Sequence, residues 1–156
     1  MRYFFALLLT ITIGTSCAGN KAGTKVPAGV PDDFALTIYH QGCRGTCPDY
    51  KITVDAKGNA SYNGRHAVEM MGMYNKVLDG KVVKGLVDLI KKYDFFSMDD
   101  VYGGGVADLP EIHTTVTMDG ETKMVKDIRY ASQELKELEA ALETLIGMEN
   151  WEAPKE

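Results

Sequence analysis

Cys43 and Cys47 stand four residues apart around the short polar run Cys43-Arg44-Gly45-Thr46-Cys47, a spacing from which two thiols can reach bonding distance. A disulfide at this turn is the expectation. Cysteine pairs also serve redox exchange and metal ligation. Thioredoxin-like exchange, however, uses two intervening residues where this pair has three, and no second cysteine pair completes a zinc tetrahedron.

The other residues with chemical potential each carry two readings. Gly103-Gly104-Gly105 has the glycine content of a phosphate cradle, but no Lys-Ser or Lys-Thr follows it, so it reads as a mobile loop. Tyr102 and Asp108 border that loop and, with Gly104 between them, could close on a ligand. The plainer reading has Tyr102 packing on the core and Asp108 capping backbone amides ahead of Pro110. Asp94, Asp99, Asp100 and Asp108 lack the alternating ligands and final Glu of a calcium loop, so a solvated acidic loop is expected. Met70, Met71 and Met73 downstream of His66 form a soft-donor cluster suited to Cu(I). On one strand Met71 and Met73 would point away from Met70, which favours packing by flexible thioethers. His40, His66 and His113 show no zinc-type helical spacing, and Ser61, Ser97 and Ser132 have no nucleophile-elbow setting.

Strands and helices must position these groups. Phe34, Leu36 and Ile38 alternate with Ala35, Thr37 and Tyr39, and Tyr50, Ile52 and Val54 repeat the period of two. Residues 55–59 reverse the chain and residues 60–63 begin a return strand, with a further strand expected over 66–77. Asp79 caps a helix whose stripe is Val82, Val83, Leu86, Val87, Leu89, Ile90 and Tyr93. Ile112, Thr114, Val116 and Met118 alternate up to the hairpin signal Asp119-Gly120, and residues 122–128 return. Ser132 caps a last helix, with Leu135, Leu138, Leu142, Leu145 and Ile146 on one face and Gly147 as its stop. The fold class is α+β: an antiparallel sheet built from hairpins, with two amphipathic helices packed on one face.

The N-terminus speaks to location. After Arg2, residues 3–13 carry no charge, and Gly14, Thr15 and Ser16 precede a lone Cys17, the layout of a secretory leader ending at a lipidation cysteine. The apolar run is shorter than the roughly 20 residues that span a bilayer as a helix. Gly14 stands where lipidation sites usually place an aliphatic residue. The expected organisation is a signal peptide over 1–16, a flexible tether over 17–33, one domain over 34–150 and a tail over 151–156. An acylated Cys17 would make the lipid bilayer a partner. The net charge of −5 falls further once Arg2 is removed and argues against nucleic acid.

The run Cys43-Arg44-Gly45-Thr46-Cys47-Pro48-Asp49-Tyr50, followed by Lys51-Ile52-Thr53-Val54 and a turn at Gly58, resembles the C-x-G-x-C-P-x-Y signature of a family of uncharacterised Bacteroidota envelope lipoproteins, a domain of unknown function. Asp94-Phe95-Phe96, Tyr102, Asp108-Leu109-Pro110 and the closing helix follow in that family's order, so the resemblance spans most of residues 34–146. It implies fold and location but no reaction. Surface-exposed relatives often carry an acidic signal after the cysteine, which Ala18-Gly19-Asn20-Lys21 lacks, so the resemblance implies the periplasmic face of the outer membrane. The function expected is a tethered, non-catalytic binding or assembly module without a cofactor. It would contact an envelope protein, peptide or glycan through the Cys43–Cys47 turn and the Tyr102–Asp108 loop. Its rivals are a small enzyme pairing Asp108 with a histidine, and a metal-handling protein using Met70 to Met73.

Overall fold

The computed structural model of the chain describes residues 25–104 and 108–154, so the leader, Cys17, the first part of the tether and Gly105 lie outside the described residues. In chain order the elements are β1 (Ala35–Gln41), β2 (Asp49–Asp55), β3 (Asn59–His66), β4 (Gly72–Val77), α1 (Gly80–Lys92), a 3-10 turn (Phe95–Ser97), β5 (Val101–Gly103), β6 (Glu111–Met118), β7 (Glu121–Ile128) and α2 (Gln133–Ile146). Seven strands form one sheet in the order β4-β3-β2-β1-β6-β7-β5, antiparallel except where β5 runs parallel to β7. The α+β expectation holds, with that parallel edge added.

The period of two decides which face is buried. Leu36, Ile38, Ile52, Val54, Val116 and Val125 are sealed on one face, where the apolar stripes of α1 (Val83, Leu86, Val87, Ile90) and α2 (Leu135, Leu138, Leu142, Ile146) cover them. Burial of these side chains at roughly 25 cal/mol per Å² is the main term holding the two layers together. Both helices begin as expected. Asp79 Oδ1 accepts from Lys81 N–H at 2.8 Å and Ser132 Oγ accepts from Leu135 N–H at 3.2 Å. At the far end of α2, Lys76 Nζ donates to the carbonyls of Ile146 and Gly147 at 2.6 and 2.8 Å, closing groups the helix leaves open. Burial lowers the pKa of that ammonium, and nearby Glu149 works against the shift.

Four expectations need correction. The strand expected over 66–77 is broken: β3 ends at His66, residues 67–71 reverse the chain through Ala67 at φ 51°, and β4 starts at Gly72, φ 96°. Gly64 admits this reversal, because a Cβ there would lie 1.9 Å from the carbonyl oxygen of Met70. Gly103 is strand, not loop: a Cβ on it would lie 2.0 Å from the Ile128 carbonyl oxygen, so only glycine lets β5 lie against β7. The packed body also starts before Phe34. Val30 is buried and Val26 packs on the core, because turns between Pro27 and Val30 and between Pro31 and Phe34 fold the segment back. Asp33 in the same stretch accepts from the backbone N–H groups of Asp119 and Gly120, the β6–β7 turn, and the Gly120 bond lowers its pKa. Finally, the segment after residue 150 is docked: Trp151 packs on the core and Glu152 exchanges two backbone hydrogen bonds with Asn75 of β4.

Candidate functional site

Polar residues occupy core-facing positions at one end of the sheet, and there they find one another. His40 continues the Leu36–Ile38 face of β1, Tyr50 the Ile52–Val54 face of β2, and Asp127 the Val125 face of β7. Glu139 and Glu143 of α2 come down onto them from above. His40 Nε2 donates to Glu143 Oε1 at 2.7 Å, and the Tyr50 hydroxyl donates to the same oxygen at 2.8 Å. The His40 ring stacks on Tyr50 at 4.3 Å, and the aromatic row continues through Tyr62 to Tyr74 and Trp151.

The electrostatics of the two glutamates diverge. Burial alone would raise the Glu143 carboxyl, but the hydrogen bond and charge of His40 and the bond from Tyr50 outweigh it and hold Glu143 below the ordinary value. Tyr50 is pushed well up, by burial first and then by the Glu143 charge. Glu139, 5% exposed, has a single hydrogen-bond donor among the described side chains, Thr114 Oγ1 at 3.2 Å. Burial and then the Asp127 charge push its pKa up to about 8, so it is protonated at neutral pH. Two neighbouring carboxyls thus hold different protonation states, Glu139 neutral and Glu143 ionised.

Beside this cluster lies a cleft of about 290 Å³ where the end of β1, the start of β6 and the end of β7 meet α2. His40, Asp127, Arg129 and Lys136 line it, with Pro48 and Pro110 among its apolar wall. Pro48 directly follows the Cys43–Cys47 turn, and Pro110 closes the loop that contains Asp108. Neither the Cys43–Cys47 turn nor Tyr102, Gly104 or Asp108 lines the cleft itself.

Cys43 and Cys47 are bridged, with Cα atoms 5.4 Å apart. His66 Nε2 donates to the Gly45 carbonyl at 2.9 Å, and Arg65 pairs with Asp49 at 2.7 Å, so the turn is held from β3 as well. Replacing both cysteines by serine is expected to cost about 2 kcal/mol by freeing the unfolded chain. Urea unfolding of the double variant with and without reductant measures it, and a midpoint equal to that of the oxidised parent would refute a stabilising bridge.

The remaining candidates are dispersed. Tyr102 packs on the core and its hydroxyl accepts from Asp99 N–H at 3.2 Å. Gly104 is exposed. Asp108 is exposed and pairs with Arg44 Nε at 3.4 Å, and among the described residues its side chain accepts from no backbone N–H. The pairing of Asp108 with a histidine is not formed either, since His40 binds Glu143, His66 binds Gly45 and His113 binds Glu111. Asp100 pairs with Lys123, and among the described residues no three His, Cys, Asp or Glu side chains are grouped to hold a metal ion. Of the three clustered methionines only Met70 packs on the core; Met71 and Met73 are solvent-exposed because the turn at residues 67–71 carries them to the sheet edge. No described helix is long and apolar enough to cross a membrane.

These observations define a small α+β domain: a mixed seven-stranded sheet backed on one face by two helices, with a stapled turn and a polar cleft at one end. The family described as Domain of unknown function (DUF6438) matches residues 34–146, and the chain belongs to that family. No functionally curated protein matches the chain.

Proposed function

We propose that the protein is an envelope lipoprotein, cleaved ahead of Cys17 and acylated there, whose domain is a non-catalytic binding or assembly module for an envelope protein, peptide or glycan. The observation that carries the binding reading is the Arg44–Asp108 ion pair, which ties the stapled turn to the loop after β5 at one exposed face. Exposed ion pairs of this kind contribute little stability, so their charges are available for a partner. The anchor rests on the leader composition and on Cys17 directly behind it. Each buried acyl methylene adds roughly 0.8 kcal/mol, and two or more chains give lasting attachment.

Two measurements test this reading. Intact mass of the membrane-extracted protein is expected to show loss of residues 1–16 and added acyl chains; an uncleaved, unmodified chain sinks the anchor. Capture from crosslinked envelopes is expected to recover a specific partner with the parent and lose it with the Arg44→Ala, Asp108→Ala double variant, whose melting temperature should match the parent's. Retention of every partner by a folded double variant rejects the face.

A further inference from the structure

The cleft beside His40 carries charges that are not paired off in ion pairs among the described residues. Glu111 is occupied by His113, and Glu143 by His40 and Tyr50. Arg129 and Lys136, by contrast, form no ion pair within 4.0 Å among the described residues, although Asp127 lines the same space. Asp127 is largely buried and uses Oδ1 to accept from Ala131 N–H at 3.2 Å, while its second oxygen has no protein donor among the described residues. His40 spends Nε2 on Glu143 and has no described partner for Nδ1. Two cations, a carboxylate and an imidazole therefore border a small cleft without forming ion pairs with one another.

We propose that this cleft binds a compact zwitterion of the α-amino-acid type, its carboxylate held by Arg129 and Lys136 and its ammonium by Asp127. The mixed charge is the argument for the class. A simple anion would meet the largely buried Asp127 carboxylate, and a simple cation would meet Arg129 and Lys136, each at a Coulombic cost that grows as water is excluded. A zwitterion satisfies both signs at once. The volume of about 290 Å³ is of a size to take an amino acid. Pro48, Pro110 and Ile112 supply the apolar wall for a side chain, and His40 lines the same space. The backbone supports the arrangement: Arg129 sits at φ 78°, an unfavourable conformation for a residue with a side chain, and bridges to Gly103 of β5. The site stands apart from the partner face, because Arg44 and Asp108 do not line it.

The test uses the full mature chain. A thermal-shift panel of the common L-α-amino acids at about 10 mM is expected to reveal at least one stabilising ligand. Calorimetry then compares that ligand with its des-amino acid and its decarboxylated amine, each expected to bind at least tenfold more weakly because one charge-assisted contact is gone. Lys136→Gln changes an exposed side chain and should weaken the amino acid at least tenfold at an unchanged melting temperature. Asp127→Asn keeps an acceptor for Ala131 and, once shown to melt like the parent, should do the same. No shift from any amino acid, equal binding of either half-molecule, or undiminished binding by folded Lys136→Gln overturns the proposal. Partner capture through Arg44 and Asp108 is unaffected by Lys136→Gln, so the two readings fail separately.

Discussion

Replacing Glu139 by glutamine is expected to stabilise the protein at pH 8 and to leave it nearly unchanged near pH 4.5, because the folded-state pKa of Glu139 is about 8 against an ordinary 4.5. Between those values the folded chain keeps a proton that the unfolded chain releases. The unfolded state binds fewer protons there, so stability falls as pH rises. The contribution of Glu139 is fully present below the ordinary carboxyl range and is lost as pH passes through about 8. At 1.36 kcal/mol per pKa unit, and allowing for relaxation around the helix, the loss is about 3 kcal/mol. Glutamine cannot ionise, yet its amide oxygen still accepts the Thr114 hydroxyl. The expected gain in melting temperature at alkaline pH is about 10 °C for a domain of this size. Glu143 runs the other way: its lowered pKa gives stability that is present above the ordinary carboxyl range and lost on acidification. Melting temperatures of parent and Glu139→Gln across this range decide the matter; parallel curves would show that Glu139 has the same pKa in the folded and unfolded chains, so that its burial carries no pH-dependent stability.

Gly64→Ala is expected to be among the most damaging single changes in the sheet. The added methyl would sit 1.9 Å from the Met70 carbonyl oxygen and 2.9 Å from both Tyr62 Cε1 and Val68 Cγ2. None of these can yield cheaply. Met70 belongs to the reversal between β3 and β4, and Tyr62 is buried in the core beside Trp151. Opening the turn or displacing Tyr62 costs about 3 kcal/mol or more. Gly120→Ala is the control. Gly120 has φ 81° but open space around its Cβ position, so only backbone strain applies, about 1 kcal/mol. Urea midpoints should therefore separate the two variants clearly. Equal losses would mean that backbone strain accounts for both and that the packing around Gly64 is loose.

The elements were legible where one local signal sufficed. Alternation in Leu36 to Ile38 and Ile112 to Met118, the Asp119-Gly120 turn, and the caps Asp79 and Ser132 all depend on neighbours in sequence, and they appear where the pattern placed them. The break after His66 was not legible, because it turns on the space beside Gly64, which only the folded β3–β4 hairpin defines. Strand β5 escaped for the same reason: Gly103 looked like loop punctuation, and its partner Ile128 lies beyond β6. The polar cluster did leave a trace. His40 falls on the face of Leu36 and Ile38, Asp127 on that of Val125, and Glu139 and Glu143 fall on or beside the apolar stripe of α2. Polar side chains in core-facing register are the signal that would have found the cleft, whereas glycine runs and methionine clusters drew the reading elsewhere.

The pairing of Glu152 with Asn75 has a consequence for how the domain should be cut. It lies past the family match, which ends at residue 146, yet it occupies the outward-facing hydrogen-bonding groups at the middle of β4. A fragment trimmed to residues 34–146 would bare that rim between Met73 and Val77, two exposed apolar side chains, and offer it to another molecule as a template for intermolecular sheet growth. Glu152 thus covers an edge that would otherwise be open to another chain, and a fragment meant to keep that cover extends at least through Glu152.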